Sequence, residues 1–193
     1  MTTMRSSFFI AVLFVFAAAH AQSLKVVPVQ LDAQNQNGLP GSIQFFCTED
    51  YPHRACMDDV ETLHQRLLRY PVEQLGPWIF VLATRNQCIA VQHRPDGSAE
   101  TPAFTFINHR TTVMERDLFS ATADRSGELF RAFGLAGSAL LELAISHELG
   151  HALCHEPDEH RADDYGRELR GGRIPRCSPS PGSSATRSAK TAR

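Results

Sequence analysis

The feature that most restricts this chain is the pentad His147-Glu148-Leu149-Gly150-His151 and the helix break that follows it at Pro157. On a helix, residues four apart project from one face. His147 and His151 can therefore offer two imidazole nitrogens to one metal ion, with the Glu148 carboxylate one residue along from the first. The preceding residues favour that helix: Ala139, Leu140, Leu141, Glu142 and Leu143 are strong helix formers, and Ser138 after Gly137 is placed to cap it. Leu141, Ala144, Ile145 and Ala152 recur at helical spacing and can face a core. Pro157 lacks an amide hydrogen and resists continuation, Asp158 can cap a second helix over residues 158–170, and Gly171-Gly172 can end it. A chain written this way folds two helices across a sharp turn, which brings Glu159 towards the two histidines.

Two imidazoles and a carboxylate around one cation, with a second carboxylate alongside, form a donor set suited to zinc hydrolysis. The metal polarises a bound water and the free carboxylate takes its proton. The pentad followed by Glu159-His160-Arg161-Ala162-Asp163 resembles the gluzincin zinc peptidases, especially the branch related to the CAAX prenyl protease and its bacterial HtpX-like relatives. That resemblance implies a Zn2+ cofactor held by His147, His151 and Glu159, with Glu148 as general base. It also implies that Asp163 supports a ligand histidine by accepting from the far side of its ring, where a ligand imidazole needs an acceptor. It reaches upstream, where residues 104–114 resemble the strand that precedes the catalytic helix and holds an extended substrate along an exposed sheet edge. In total it covers residues 103–170. The chain departs from the family in the connection, since the seven residues between His151 and Glu159 are fewer than that group has. Glu156, Asp158 and His155 therefore stay open as third ligand, and Cys154 as a soft one. Pro157 stands where a metzincin would carry its third histidine, which excludes that variant.

Arg5, the apolar residues 8–19 and the small-residue site Ala19-His20-Ala21 read as a signal peptide over residues 1–21. The apolar run is too short for a bilayer, no later segment approaches that length, and no Cys follows the cleavage site. The chain is thus expected to be exported, periplasmic or secreted, with no stable membrane anchor. Residues 22–172 form one domain with 13 Lys/Arg against 21 Asp/Glu, and no nucleic acid is expected as partner. Residues 173–193 hold five basic residues and no acid, lack apolar periodicity, and read as a disordered basic tail. All five cysteines survive cleavage. In an oxidising compartment an even number pairs and one thiol is left over; Cys47–Cys56 and Cys154–Cys177 are candidate bridges, and the connectivity is not fixed by the sequence.

In the body, Asp58 with Glu61 reads as a capping box for a helix reaching Tyr70, with Val60, Leu63 and Leu67 on one face. Trp78–Ala83 and the run Cys88-Ile89-Ala90-Val91 are β-rich and are separated by Arg85-Asn86-Gln87, which predicts a hairpin. Pro95-Asp96-Gly97 reads as a turn, residues 104–114 as strand, and residues 128–133 as a short helix. Residues 23–42 are extended and polar and carry no motif. The expected class is α+β: a zincin-like metallopeptidase domain with a small antiparallel or mixed sheet packed against the pentad helix and the following glutamate helix. The expected function is a zinc-dependent endopeptidase acting on polypeptide, with Tyr165, His160 and His109 as candidate oxyanion donors. The alternative is a non-catalytic, zinc-stabilised binding or quality-control protein of the envelope that holds extended polypeptide at the sheet edge. Glu148 argues against it, because a structural site needs no carboxylate there.

Overall fold

Strands whose alternate residues are both apolar must be covered on both faces, and that requirement organises this chain. The computed structural model describes residues 24–31, 38–40, 42–92 and 101–177; the expected signal peptide, the 95–97 turn and the tail beyond residue 177 lie outside them. Its elements are β1 Val26–Val29, β2 Ile43–Thr48, α1 His53–Leu67, β3 Trp78–Ala83, α2 Arg85–Gln92, β4 Ala103–Phe106, β5 Thr111–Glu115, α3 Asp117–Ser120, α4 Ala123–Phe133, α5 Gly137–Cys154 and α6 Glu159–Arg170. The strands form a five-stranded sheet in the order β1-β2-β3-β5-β4. The outer pairs β1/β2 and β4/β5 are antiparallel, whereas β2/β3 and β3/β5 are parallel, so the sheet is mixed and the class is α+β.

The period of two sorts the core. Phe45, Cys47, Trp78, Phe80, Leu82 and Met114 point to one side, where Val60, Leu63 and Leu67 of α1 and Leu141, Ile145 and Leu149 of α5 cover them. Phe46, Val81, Ala83 and Val113 point to the other, against Leu24, Val26 and Cys88. Among the described residues no single helix is long and apolar enough to cross a membrane.

Several local expectations are corrected. The segment Cys88-Ile89-Ala90-Val91 is helical, within α2, because Cys88 and Val91 lie three apart and both pack on the sheet. A four-residue apolar run does not distinguish that from a strand by periodicity. Residues 104–114 form two strands rather than one: a 3-10 turn at Ile107–His109 and left-handed Arg110 (φ 49°) fold β4 back on β5. The strands Ile43–Thr48 and, at the edge beside it, Val26–Val29 were not anticipated from the sequence. The α1 helix begins after Pro52, so Asp58 and Glu61 lie inside it and form no capping box. Ser138 falls in the first turn of α5, and the cap position belongs to Ala136 in extended backbone. The short helix at 128–133 starts earlier, at Ala123, where the Thr122 hydroxyl accepts from the Arg125 amide at 3.3 Å.

Two disulfides clamp this frame. Cys47–Cys56 ties the end of β2 to the first turns of α1, and Cys154–Cys177 ties the last residue of α5 to the segment leaving α6. Cys88 is the free thiol among the described residues, and burial pushes its pKa up.

His64 on α1 has 1 % of its surface exposed, neither ring nitrogen has a hydrogen-bond partner among the described residues, and its ring meets Phe45 edge-on at 6.4 Å. Burial disfavours the imidazolium and holds the pKa below 6.5, with Glu61 opposing more weakly. The folded state thus binds fewer protons here than the unfolded chain. This contribution is fully present above pH 6.5 and is lost as pH falls below it. We predict that the urea midpoint of the wild type falls between about pH 6.5 and pH 5 more steeply than that of His64→Leu. Parallel curves for the two proteins would contradict the assignment.

Candidate metal centre

Helices α5 and α6 can cross closely only because glycine stands at two contact points. A Cβ on Gly150 would lie 2.5 Å from the Ala162 carbonyl oxygen, and one on Gly166 2.9 Å from the Ser146 carbonyl oxygen. The connection between them is built to short measure. His155 ends α5 in the left-handed region (φ 47°, ψ 41°), and the Glu156 amide donates back to the His151 carbonyl at 3.1 Å. The buried Glu156 carboxylate accepts from the Asp158 amide at 3.1 Å and faces Arg161 Nε at 3.1 Å. Asp158 then caps α6, its Oδ1 accepting from the Arg161 amide at 3.0 Å. Seven residues suffice because the helices are nearly in contact where the chain turns.

This crossing brings Glu159 to the two histidines. His147 Nε2 lies 3.1 Å from His151 Nε2 and 3.1 Å from Glu159 Oε2, while His151 Nε2 lies 3.4 Å from the same oxygen. The other ring nitrogens are engaged elsewhere. His147 Nδ1 donates to Asp163 Oδ1 at 2.7 Å, and His151 Nδ1 donates to the Glu156 carbonyl. A carbonyl only accepts, so the His151 proton sits on Nδ1; the Asp163 carboxylate imposes the same on His147. In the neutral rings both Nε2 lone pairs and a Glu159 oxygen then converge on one point. Three acceptors so close repel one another unless a cation lies among them, and two imidazoles with a carboxylate can hold one. The nitrogen donors favour a transition-type ion over calcium or magnesium, which take oxygen ligands.

The other candidate ligands are not in this cluster. Glu156 and Asp158 have the partners just described, His155 is exposed at the left-handed cap, and Cys154 is oxidised in its disulfide. Asp164, next to Asp163, pairs with Arg167 at 2.7 Å. Of Tyr165, His160 and His109, only His109 lines the cavity over the histidines.

Glu148 occupies the inner side of α5, facing the sheet. It is 4 % exposed, and its Oε2 has no hydrogen-bond partner among the described residues. Burial pushes its pKa up to about 7; the Thr105 hydroxyl and His151 oppose the shift, and Glu159 adds to it. Glu148, His147, His151 and Glu159 all line a cavity of about 760 Å³ that runs along β4 at the sheet edge. Phe106, Phe133, Leu140, Leu143 and Ala144 make much of its remaining wall apolar. Glu156 as the residue that orients His151 was not legible in the sequence, because it acts through its backbone carbonyl.

No protein-family model, curated protein or solved structure matches this chain. Its functional reading rests on the geometry above.

Gly150→Ala tests the crossing. In an open helix the change would stabilise by about 1 kcal/mol. Here the new methyl meets backbone at 2.5 Å, and overpacking of that kind costs roughly 1–3 kcal/mol. The clash should win, giving net loss of stability and weaker metal binding because Glu159 moves with Ala162. Denaturant unfolding with and without metal measures both, and a stabilised variant with unchanged metal affinity would refute the constraint.

Proposed function

We propose that this chain is a zinc-dependent endopeptidase of zincin-like design, exported to an oxidising compartment and acting on extended polypeptide. The observation that carries the reading is the convergence of His147 Nε2, His151 Nε2 and Glu159 Oε2, with both far-side nitrogens held as donors, beside a buried carboxylate at the same cavity. Zinc bound by His147, His151 and Glu159 would supply Lewis acidity to a scissile carbonyl and to the attacking water. Asp163 and the Glu156 carbonyl would keep the two imidazoles in the ligating tautomer. The β4 edge would hydrogen-bond the substrate main chain in extended form. Glu148 would take the proton of the attacking water as the new C–O bond forms, then hand it to the leaving nitrogen as the C–N bond breaks. The apolar wall of the cavity would exclude bulk water from that transfer. Two disulfides suit an oxidising compartment and favour the export part of the proposal.

Glu148→Gln should bind zinc as the wild type does and lose cleavage of an unfolded protein substrate by about a hundredfold to ten-thousandfold, since coordination and proton transfer sit on different residues. Binding of that substrate with no cleavage by the wild type would favour the non-catalytic envelope-protein alternative.

Glu159→Ala should weaken zinc binding far more than Glu156→Gln or His155→Ala, because only the first removes a coordinating atom. Equal zinc stoichiometry and release rates in the three variants, measured by competition with a chromogenic chelator, would rule Glu159 out as a ligand.

A further inference from the structure

The apolar wall of the cavity does not stop at its rim. It follows α5 from His151 back to Leu140 and reaches Phe133, the last residue of α4. Phe133 is 38 % exposed, and beside it in the chain Phe130 and Leu135 are 57 % and 36 % exposed. The other large apolar side chains left exposed among the described residues, Val27, Leu68, Ile89 and Ile174, lie far apart in the sequence. Single ones are ordinary on a protein surface, whereas a cluster marks a place where something binds.

The backbone holds this cluster outward. Helix α4 commits one residue, Leu129, to the interior, while Phe130 and Phe133, three apart, share an outer face. Gly134 (φ 71°) and Gly137 (φ 56°) turn the chain from α4 into α5, with Leu135 between them. A Cβ on either glycine would meet no atom within 4 Å, so the turn stands clear of the body. Beside the C-terminal half of α5 the cavity is bounded instead by the exposed carboxylates of Glu159 and Asp163. Apolar contact therefore continues beyond the cavity at the α4 end.

We infer that Phe130, Phe133 and Leu135 form an exosite that holds an apolar stretch of the polypeptide substrate, away from the bond being cut. The inference rests on the peptidase reading for the place of that bond, at His147 and His151. Helix α5 starts at Gly137, ten residues before His147, which at 1.5 Å per residue is about 15 Å. An extended chain lying along β4 advances about 3.3 Å per residue, so the apolar stretch falls about four or five residues from the scissile bond. Folded proteins bury such stretches. The substrates selected this way are unfolded polypeptides with apolar runs.

The test uses the zinc-loaded, oxidised full chain and a Phe130→Ser/Leu135→Ser double variant, which leaves every residue that lines the cavity in place. On an unfolded protein substrate the variant should lose about tenfold in kcat/KM, through KM, relative to its kcat/KM on a peptide of about six residues, too short to reach the corner. An equal loss on both substrates, or no loss on the protein, would overturn the exosite. A binding measurement stands even if the wild type cleaves nothing. Fluorescence anisotropy compares a labelled peptide carrying a Leu-Phe-Leu-Phe run with the same peptide carrying serines there. The wild type should bind the apolar peptide about tenfold more tightly, and the double variant should bind both alike. That preference without cleavage would uphold the exosite and sink the peptidase reading instead. No preference in the wild type would refute the exosite. So would a dimer in sedimentation that the double variant abolishes while keeping the peptide preference, because the corner would then be a contact between copies of this chain.

Discussion

The site depends on how closely α5 and α6 approach, and that distance is set by two missing methyl groups. With Gly150 against Ala162 and Gly166 against Ser146, backbone meets backbone across the crossing. Helix axes brought this near leave little room for side chains between them, so groups at the edge of the contact are forced to face one another. His147, His151, Glu159 and Asp163 are those edge groups. The turn that joins the helices can be short for the same reason, and its brevity aims the Glu156 carbonyl at His151.

The two imidazoles are oriented by different means. His147 is held by a carboxylate on the neighbouring helix, a partner that fixes the ring's orientation and is itself half exposed. His151 is held by main chain from its own connecting loop, a partner that no side-chain substitution removes directly. The orientation of one imidazole is therefore tunable by mutation, and that of the other is part of the backbone design. On the opposite side of α5, Glu148 is kept in a drier environment, at the wall of the cavity that Thr105 of β4 also lines. A single helix thus divides its polar residues between an open rim and a closed interior.

Much of the site was legible because its rules are local. Four-residue spacing puts His147 and His151 together, Pro157 forbids continuation, and Asp158 restarts the helix; none of this depends on distant parts of the chain. The two disulfides join cysteines that the sequence offered as candidates, but their pairing is decided by the fold. The sheet was less legible. The α2 segment carries β-prone residues in a run too short to reveal its period, and its helical state is decided by the sheet face it covers. The β4–β5 reversal has no glycine to announce it and relies on Arg110 entering the left-handed region. Parallel pairing of β2 with β3 was unreadable, because it depends on α1 crossing over and on contacts far apart in sequence.

The Cys154–Cys177 bridge closes a ring of chain around α6, with a sequence separation of 23 between its ends. Glu159 and Asp163 ride inside that ring, while His147 and His151 sit on the helix to which it is fastened. Closing such a loop removes on the order of 3 kcal/mol of chain entropy from the unfolded state. Were an ion to bind there and leave, the carboxylates would stay close to the imidazoles at a high effective concentration, so that reassembly of the donor set would be an intramolecular search over a few ångströms. The covalent ring would then act as a memory of the coordination sphere, and it would suit a compartment where free metal is scarce and intermittent.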